Sequence, residues 1–439
     1  YGSENLRLEP RLRRRYEKLV MGHSNCVHPL AAGMKALPSG DKAFAHTQGL
    51  WRFLGNERVT PADLGAPLLE LARAGVVEGC DEYALAVHDW SRLNYNSHSR
   101  KQDRLQMTHA TDVGYELQST VLVADRDGAP LGAPVQNLRT AQGVWSSRNR
   151  EMVEPEAHLD ELTQRMDWLD TQAFAKPLVH MVDREADSVF HQRQWSARNR
   201  LWLVRAKAAG RVRCGQKSSS LQQVADGLCF TKVRPVAYQG QPAVQWLASA
   251  EVTIVRPAKR KRVDEQGKRV PPIPGAPMTV RLVVSRVCTP DGKPLADWFL
   301  LTNVPGSVPD ARIALWYYWR WRIESYFKLL KQAGQQLERW EQESGPAILK
   351  RLLIAGQACA LAWRLMRAEG TFADQTRAFL VRLSGRQMKR TTPISASALL
   401  HGLYTLFAML ETLKHHSTDE LQRFAQLANN LAPDPSCVV

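Results

Sequence analysis

Cysteine is scarce in this chain and shows no pattern. The seven, at positions 26, 80, 214, 229, 288, 359 and 437, contain no Cys-x-x-Cys pair and are odd in number. This argues against a zinc ribbon and against a disulfide framework. His23, Cys26 and His28 lie close together but lack a second ligand cluster, so they are expected to be structural. Long apolar runs are also missing. None approaches the roughly 20 residues that span a bilayer, and the stretch Ile354 to Trp363 is expected to be a buried helix. No membrane partner and no secretory signal are expected, which leaves a reducing cytoplasm as the expected compartment. The remaining shortage is of acidic charge. Asp and Glu number 43 against 59 Lys and Arg, giving a net charge of +16 and a pI near 9.7. Such an excess favours a polyanionic partner, and nucleic acid is the usual one.

What is present is a globular composition, with 44% apolar residues and 13 tryptophans in 439 residues, enough for two or three domains. Residues 1–75 read as a helical DNA-recognition domain in which Arg11, Arg13, Arg14, Arg15 and Lys18 crowd the first helix. Thr60-Pro61-Ala62-Asp63 has the chemistry of a helix start: a Thr cap, Pro in the first helical position and an acid in the first turn. Residues 76–370 read as an α/β catalytic domain. Short apolar runs at Tyr83 to Val87, 113–124, Leu178 to Val182 and Leu201 to Arg205 are expected strands, with a hairpin turn at Asp125 to Gly128 and helices at 156–172 and after Asp187. Within it, 208–297 is expected to be an inserted β-subdomain. Its alternating runs 243–256 and 277–289 flank a basic tip, Lys259-Arg260-Lys261-Arg262 and Lys268-Arg269. Residues 371–439 read as a helical dimerisation region. Its apolar positions Leu399, Leu400, Leu403, Leu406 and Leu410 suit either a partner surface or the chain's own core.

Three acids stand out. Asp89 and Asp183 each fall at the expected C-terminal end of a strand, where side chains are held rigidly. Two carboxylates on neighbouring strands can hold Mg²⁺, a hard cation that prefers oxygen ligands. A third, Glu324, lies on an expected helix from Pro309-Asp310 to about Gly334. At ~100° per residue, Tyr317, Arg320, Glu324, Lys328 and Lys331 share one stripe, opposite Trp316, Trp319, Ile323, Phe327 and Leu330. Alone, that stripe also fits a surface helix with the spaced ion pairs Arg320–Glu324 and Glu324–Lys328. Glu185 and Asp187 are expected beside the site, with Asp187 capping the following helix. His88 reads as an ordinary strand-end residue or a proton shuttle, and His158-Leu159-Asp160-Glu161 as a solvated helix face.

The spacing Tyr317-x2-Arg320-x3-Glu324-x6-Lys331, with Asp183-Arg184-Glu185-Ala186-Asp187 and Asp89, resembles the insertion-sequence-four family of bacterial transposases. The resemblance runs from about residue 40 to 370. It implies an RNase H-like core and a cut-and-paste transposase that cleaves transposon ends and joins them to target DNA. It further implies two Mg²⁺ ions, replaceable by Mn²⁺, held by Asp89, Asp183 and Glu324. Tyr317, Arg320, Lys328, Lys331 and Arg205 would grip double-stranded DNA at the terminal inverted repeats, and Trp298 would stack a flipped base. A homodimer would pair two ends in a synaptic complex. The chain departs from the family at Trp90, where many relatives carry a small hydroxyl residue; here Ser91 follows it. Two other readings fit the same acids: a nuclease without strand transfer, and a domesticated DNA-binding protein.

Overall fold

The computed structural model describes residues 6–24, 43–258, 271–331, 334–385 and 394–431. The basic tip at 259–262 and 268–269, the Cys26 and His28 positions and the segment Pro433 to Val439 lie outside them.

The chain opens with α1 (Pro10–Ser24), α2 (Ala43–Leu54) and α3 (Pro61–Gly79). Thr60 caps α3 in a reciprocal capping box: its hydroxyl accepts from Asp63 N, and the Asp63 carboxylate accepts from Thr60 N. There follow β1 (Ala84–Asn94), β2 (Leu105–Gln106), β3 (Val113–Ala124), β4 (Pro130–Arg139) and β5 (Val144–Ser146). Next come α4 (His158–Asp170), β6 (Leu178–Val182), α5 (Val189–Ala197) and β7 (Leu201–Ala206). Then come β8 (Arg211–Cys214), β9 (Lys217–Ser220), α6 (Leu221–Asp226), β10 (Thr231–Tyr238), β11 (Gln241–Ile254), β12 (Met278–Cys288) and β13 (Pro294–Thr302). Helices follow: α7 (Asp310–Trp319), α8 (Arg322–Lys331), α9 (Gly345–Arg367), α10 (Thr371–Leu383), α11 (Ala396–His415) and α12 (Thr418–Leu431).

Among the described residues thirteen strands make one mixed sheet in the order β5-β4-β3-β1-β6-β7-β13-β12-β11-β8-β9, with β10 on β11 and β2 on β3. β1, β6 and β7 are parallel neighbours, and β3 and β13 flank them antiparallel. The parallel strands are apolar on both faces because both are covered. One face (Leu85, Val87, Val179, Met181, Leu203) meets α7, α8 and α9, and the other (Val182, Trp202, Val204) meets α4 and α5.

The structure redraws several sequence expectations. The strands of 208–297 extend the main sheet, because β13 pairs with β7 as well as with β12. The N-terminal helices share one core cluster with α9, through Tyr16, Leu19, Leu50 and Phe53. Leu399, Leu400 and Leu403 are buried in that same cluster and Leu406 packs against it, so these four serve the chain's own core and only Leu410 is exposed. Helix α11 is long and apolar enough to cross a membrane by length and composition, contrary to the reading of the apolar runs. Its apolarity is spread over 20 residues, and a third of its most apolar window is buried within the fold. The helical face His158 to Glu161 is only partly solvated: His158 and Asp160 are half-buried and Glu161 leaves the surface. Glu161 is buried and takes Arg165 Nη2 at 2.5 Å and Arg148 Nη2 at 2.9 Å, since α4 lays this side against the sheet.

The β3–β4 turn ties the sheet to the helices above it. Asp125 accepts from the backbone N–H groups of Asp81, Glu82 and Tyr83, and Gly128 has φ +72°. A Cβ at Gly128 would lie 2.4 Å from the Trp319 ring. Gly128→Ala is therefore expected to cost about 3 kcal/mol or more, from the left-handed backbone plus the displaced indole. Denaturant unfolding checks this; a loss below about 1 kcal/mol would show that α7 does not depend on the turn.

Candidate active site

β1 runs on past Asp89 to Asn94, because Trp90 to Asn94 still pair with β3. Asp89 is thus mid-strand, not at a strand end. Its parallel partner β6 stops pairing earlier, at Val87↔Met181, and that opens space beside it. Asp183 does fall directly after β6, where it caps a single 3-10 turn by accepting from Glu185 N at 2.8 Å. Strand alternation puts Asp89, Asp183 and Arg205 on the face that meets α7 and α8. Trp90 turns the other way and lies 4.7 Å from the His158 ring, so it does not enter the acid site.

The expected single helix from Pro309 is two. α7 ends at Trp319 and α8 begins at Arg322, with i→i−3 bonds from Arg320 N, Trp321 N and Ile323 N across the join. The apolar side holds as read, with Trp316, Trp319, Ile323, Phe327 and Leu330 buried. The polar stripe does not stay uniform. Tyr317 and Arg320 are buried, whereas Glu324 and Lys328 are exposed. The break lets Arg320 turn in toward the sheet and place Nη1 2.8 Å from Asp89 Oδ2. Neither Arg320–Glu324 nor Glu324–Lys328 is an ion pair among the described residues. Lys331 reaches Glu338 at 3.4 Å and the Arg92 carbonyl.

Charge and burial act together on Asp89 and its neighbours. Burial raises the Asp89 carboxyl to about 6; Arg320 and the Trp90 N–H pull it down, and the like charges of Glu324 and Asp183 push it up. Burial opposes charge on Arg320, but Tyr317, Asp89 and Asp183 outweigh it and hold the guanidinium above its ordinary range. Burial raises the Tyr317 hydroxyl against the pull of Arg320 and Arg205. Asp89, Asp183, Glu324, Arg320, Tyr317 and Arg205 therefore share one field. Trp298, half-buried on β13, stands with its ring 6.4 Å from Tyr317 and packs against the main core. Lys328 and Lys331 lie further along α8, at the edge of this group.

Among the described residues no three His, Cys, Asp or Glu side chains stand close enough to hold a metal ion. The donor set nevertheless suits a hard divalent cation in kind: three carboxylates whose mutual repulsion helps raise Asp89. As it stands, both Asp89 oxygens are engaged, Oδ2 by Arg320 and Oδ1 by Trp90 N.

Two neighbouring expectations change. Asp187 does not cap α5. Its carboxylate turns back to accept from Lys207 N at 2.9 Å and to meet Arg256 at 3.3 Å, leaving Ser188 at the cap position. Glu185 is exposed. His88 is no strand-end residue but fully buried within β1, bonded to His180, a partner that no local pattern marks.

No family model matches the chain, and no curated protein matches it. Among solved structures it is similar to a piggyBac transposase synaptic complex with hairpin DNA. The TM-score is 0.37 at 11% identity, over 96% of this chain and 75% of that one. At that score and identity nothing is transferred from one protein to the other.

Proposed function

We propose that the protein is a metal-dependent DNA transposase that cleaves transposon ends and transfers them to target DNA. The observation that carries this reading is the Arg320–Asp89 contact at 2.8 Å in a neighbourhood where Asp183 at the end of β6 and Glu324 on α8 act on the Asp89 charge, and Tyr317 and Arg205 lie beside them. The order β4-β3-β1-β6-β7, three antiparallel strands meeting two parallel ones, supports an RNase H-like core. The net charge of +16 supports DNA as the partner.

Asp89, Asp183 and Glu324 would hold two Mg²⁺ or Mn²⁺ ions. Such ions, when bound, activate an attacking oxygen and stabilise a leaving one in phosphodiester chemistry. The chain's own contribution is positioning. The Arg320 guanidinium, presented at the α7–α8 break, exchanges Asp89 for a DNA phosphate, which it can grip through two oxygens. Arg205 and Tyr317 line the same face and fix the strand. Lys328, exposed on α8, adds a phosphate contact, and Lys331 does so on leaving Glu338. Two ends require two active sites, so a second copy is part of the proposal. Among the described residues, exposed apolar side chains available to it include Met409, Leu410 and Leu413 on α11 and Phe424 and Leu427 on α12.

The deciding experiment incubates the protein with the DNA flanking its own gene and Mg²⁺, then maps the ends. Cuts at the repeat boundaries with strand transfer support the reading. Hydrolysis without transfer points to a nuclease, and binding without cutting points to a DNA-binding protein.

Trp298 gives a narrower test. If its indole holds a displaced base, Trp298→Ala is expected to spare the first nick and reduce double-strand cleavage and strand transfer by tenfold or more, since base stacking contributes about 1–3 kcal/mol. Equal loss of all steps together with a lowered melting temperature would assign Trp298 to the core alone.

A further inference from the structure

Asp89 and Asp183 both lie beyond the point where β1 and β6 stop pairing with each other. The β1–β6 ladder ends at Val87↔Met181, two residues short of each acid, so no backbone rung sets the distance between them. A side-chain bridge braces the end of the ladder on the opposite face of the sheet, from His88, one residue past the last rung, to His180, which pairs with Ala86 within it. His88 Nε2 lies 2.9 Å from His180 Nδ1, and His88 Nδ1 lies 2.9 Å from Thr120 Oγ1 on β3. His180 Nε2 faces the Asp170 carboxylate of α4 at 3.6 Å, and Asp170 is in turn held by Arg200 Nε at 2.6 Å. The two imidazoles are stacked, with centroids 5.2 Å apart and planes 20° apart, and at most 1% of either residue is exposed.

The chain of contacts fixes its own protons. A carboxylate only accepts, so the proton of His180 sits on Nε2 toward Asp170, and its Nδ1 accepts from His88 Nε2–H. His88 Nδ1 then accepts from the Thr120 hydroxyl. Every polar atom has one role, and reversing any link sets two donors or two acceptors face to face. β3, β1, β6 and the end of α4 are thereby tied together one residue from Asp89 and three from Asp183.

We propose that His88 and His180 are a positioning pair that sets the separation of the Asp89 and Asp183 carboxylates. The proposal rests on the reading of those acids as the metal-holding centre. Groups standing behind metal ligands typically contribute 10- to 100-fold in metal affinity.

The test measures Mn²⁺ binding to the full chain by calorimetry, beside thermal stability, for His88→Leu, His180→Leu and His88→Gln. The leucines fill the space but break the bridge, and Mn²⁺ affinity is expected to fall 10- to 100-fold. The glutamine amide can donate to His180 Nδ1 and its oxygen can accept from Thr120, so His88→Gln is expected to stay within about threefold of wild type. Leu399→Ala, a core change on α11, which carries no part of the bridge, supplies a destabilised control whose Mn²⁺ affinity is expected to be unchanged. The pair is overturned if the leucine variants bind Mn²⁺ as the wild type does, or if affinity merely follows melting temperature across all four variants. If the wild type itself binds no Mn²⁺, with or without DNA, the acid-centre reading fails and the proposal falls with it.

Discussion

Asp89→Asn is expected to reduce DNA cleavage to background and, at neutral pH, to make the protein more stable. Burial holds the Asp89 carboxyl at about 6 against an ordinary 3.8, even with Arg320 beside it. A native pKa above the unfolded one means that the folded protein binds the extra proton. The stability tied to that proton is fully present below pH 3.8 and is lost as pH rises through 6. At pH 7 the ionised carboxylate therefore costs on the order of 2–3 kcal/mol relative to its neutral form. Asparagine keeps the shape and removes the charge. The variant is expected to melt several degrees higher at pH 7 and to lose this advantage near pH 4. DNA binding should persist, since positively charged groups supply it. Asp183→Asn and Glu324→Gln should likewise lose cleavage and keep binding. Melting curves at pH 4 and pH 7, with cleavage assays alongside, check the set. An Asp89→Asn protein that melts lower at pH 7 would mean that the ion pair outweighs burial; full cleavage by any of the three variants would remove that residue from the centre. A stability cost at this position is what a site built to take a cation would carry.

Arg320→Ala is expected to raise Mn²⁺ affinity in the DNA-free protein by about tenfold or more, measured at pH 8, and to weaken the complex with cleaved ends. In the wild type the guanidinium occupies Asp89 Oδ2 at 2.8 Å, so a cation must displace it. A DNA phosphate offers the arginine another partner and frees the carboxylate. DNA and metal then strengthen one another's binding by the same factor, as linkage requires. Removing the arginine removes that coupling. The variant should bind Mn²⁺ equally with and without DNA, and the salt dependence of DNA binding should flatten by roughly one phosphate. Titration of Mn²⁺ with and without end DNA decides the matter. A wild type that binds Mn²⁺ without DNA as tightly as the variant does would show that Arg320 exerts no hold on Asp89.

Much of the framework was legible in the sequence because local rules and tertiary packing agree there. β3 spans the run marked for it, β6 ends at the residue before Asp183, and Thr60 caps α3 through the residues that carried the signal. The apolar side of the α7–α8 region is also as spaced, since helical period alone decides which residues can face a core. The candidate centre was legible at the level of residue type, as three acids with an arginine and a tyrosine at set intervals.

The tertiary structure decided the rest. Asp89 is mid-strand because β3 continues beside β1 where β6 has stopped, a pairing between distant segments that no local pattern encodes. The break at Arg320 turns that side chain from a surface stripe to the sheet, and its partner lies 231 residues away in the chain. His88 found His180 across 92 residues, through strand order and register rather than composition. Glu161 became a buried ion-pair partner because α4 packs that side against the sheet. The sequence by itself determined the elements, their apolar faces and the acids available. Register, helix breaks and contacts between distant segments decided which side chains meet and how the Asp89 carboxyl is held, because burial and neighbouring charge depend on positions in space and not on intervals along the chain.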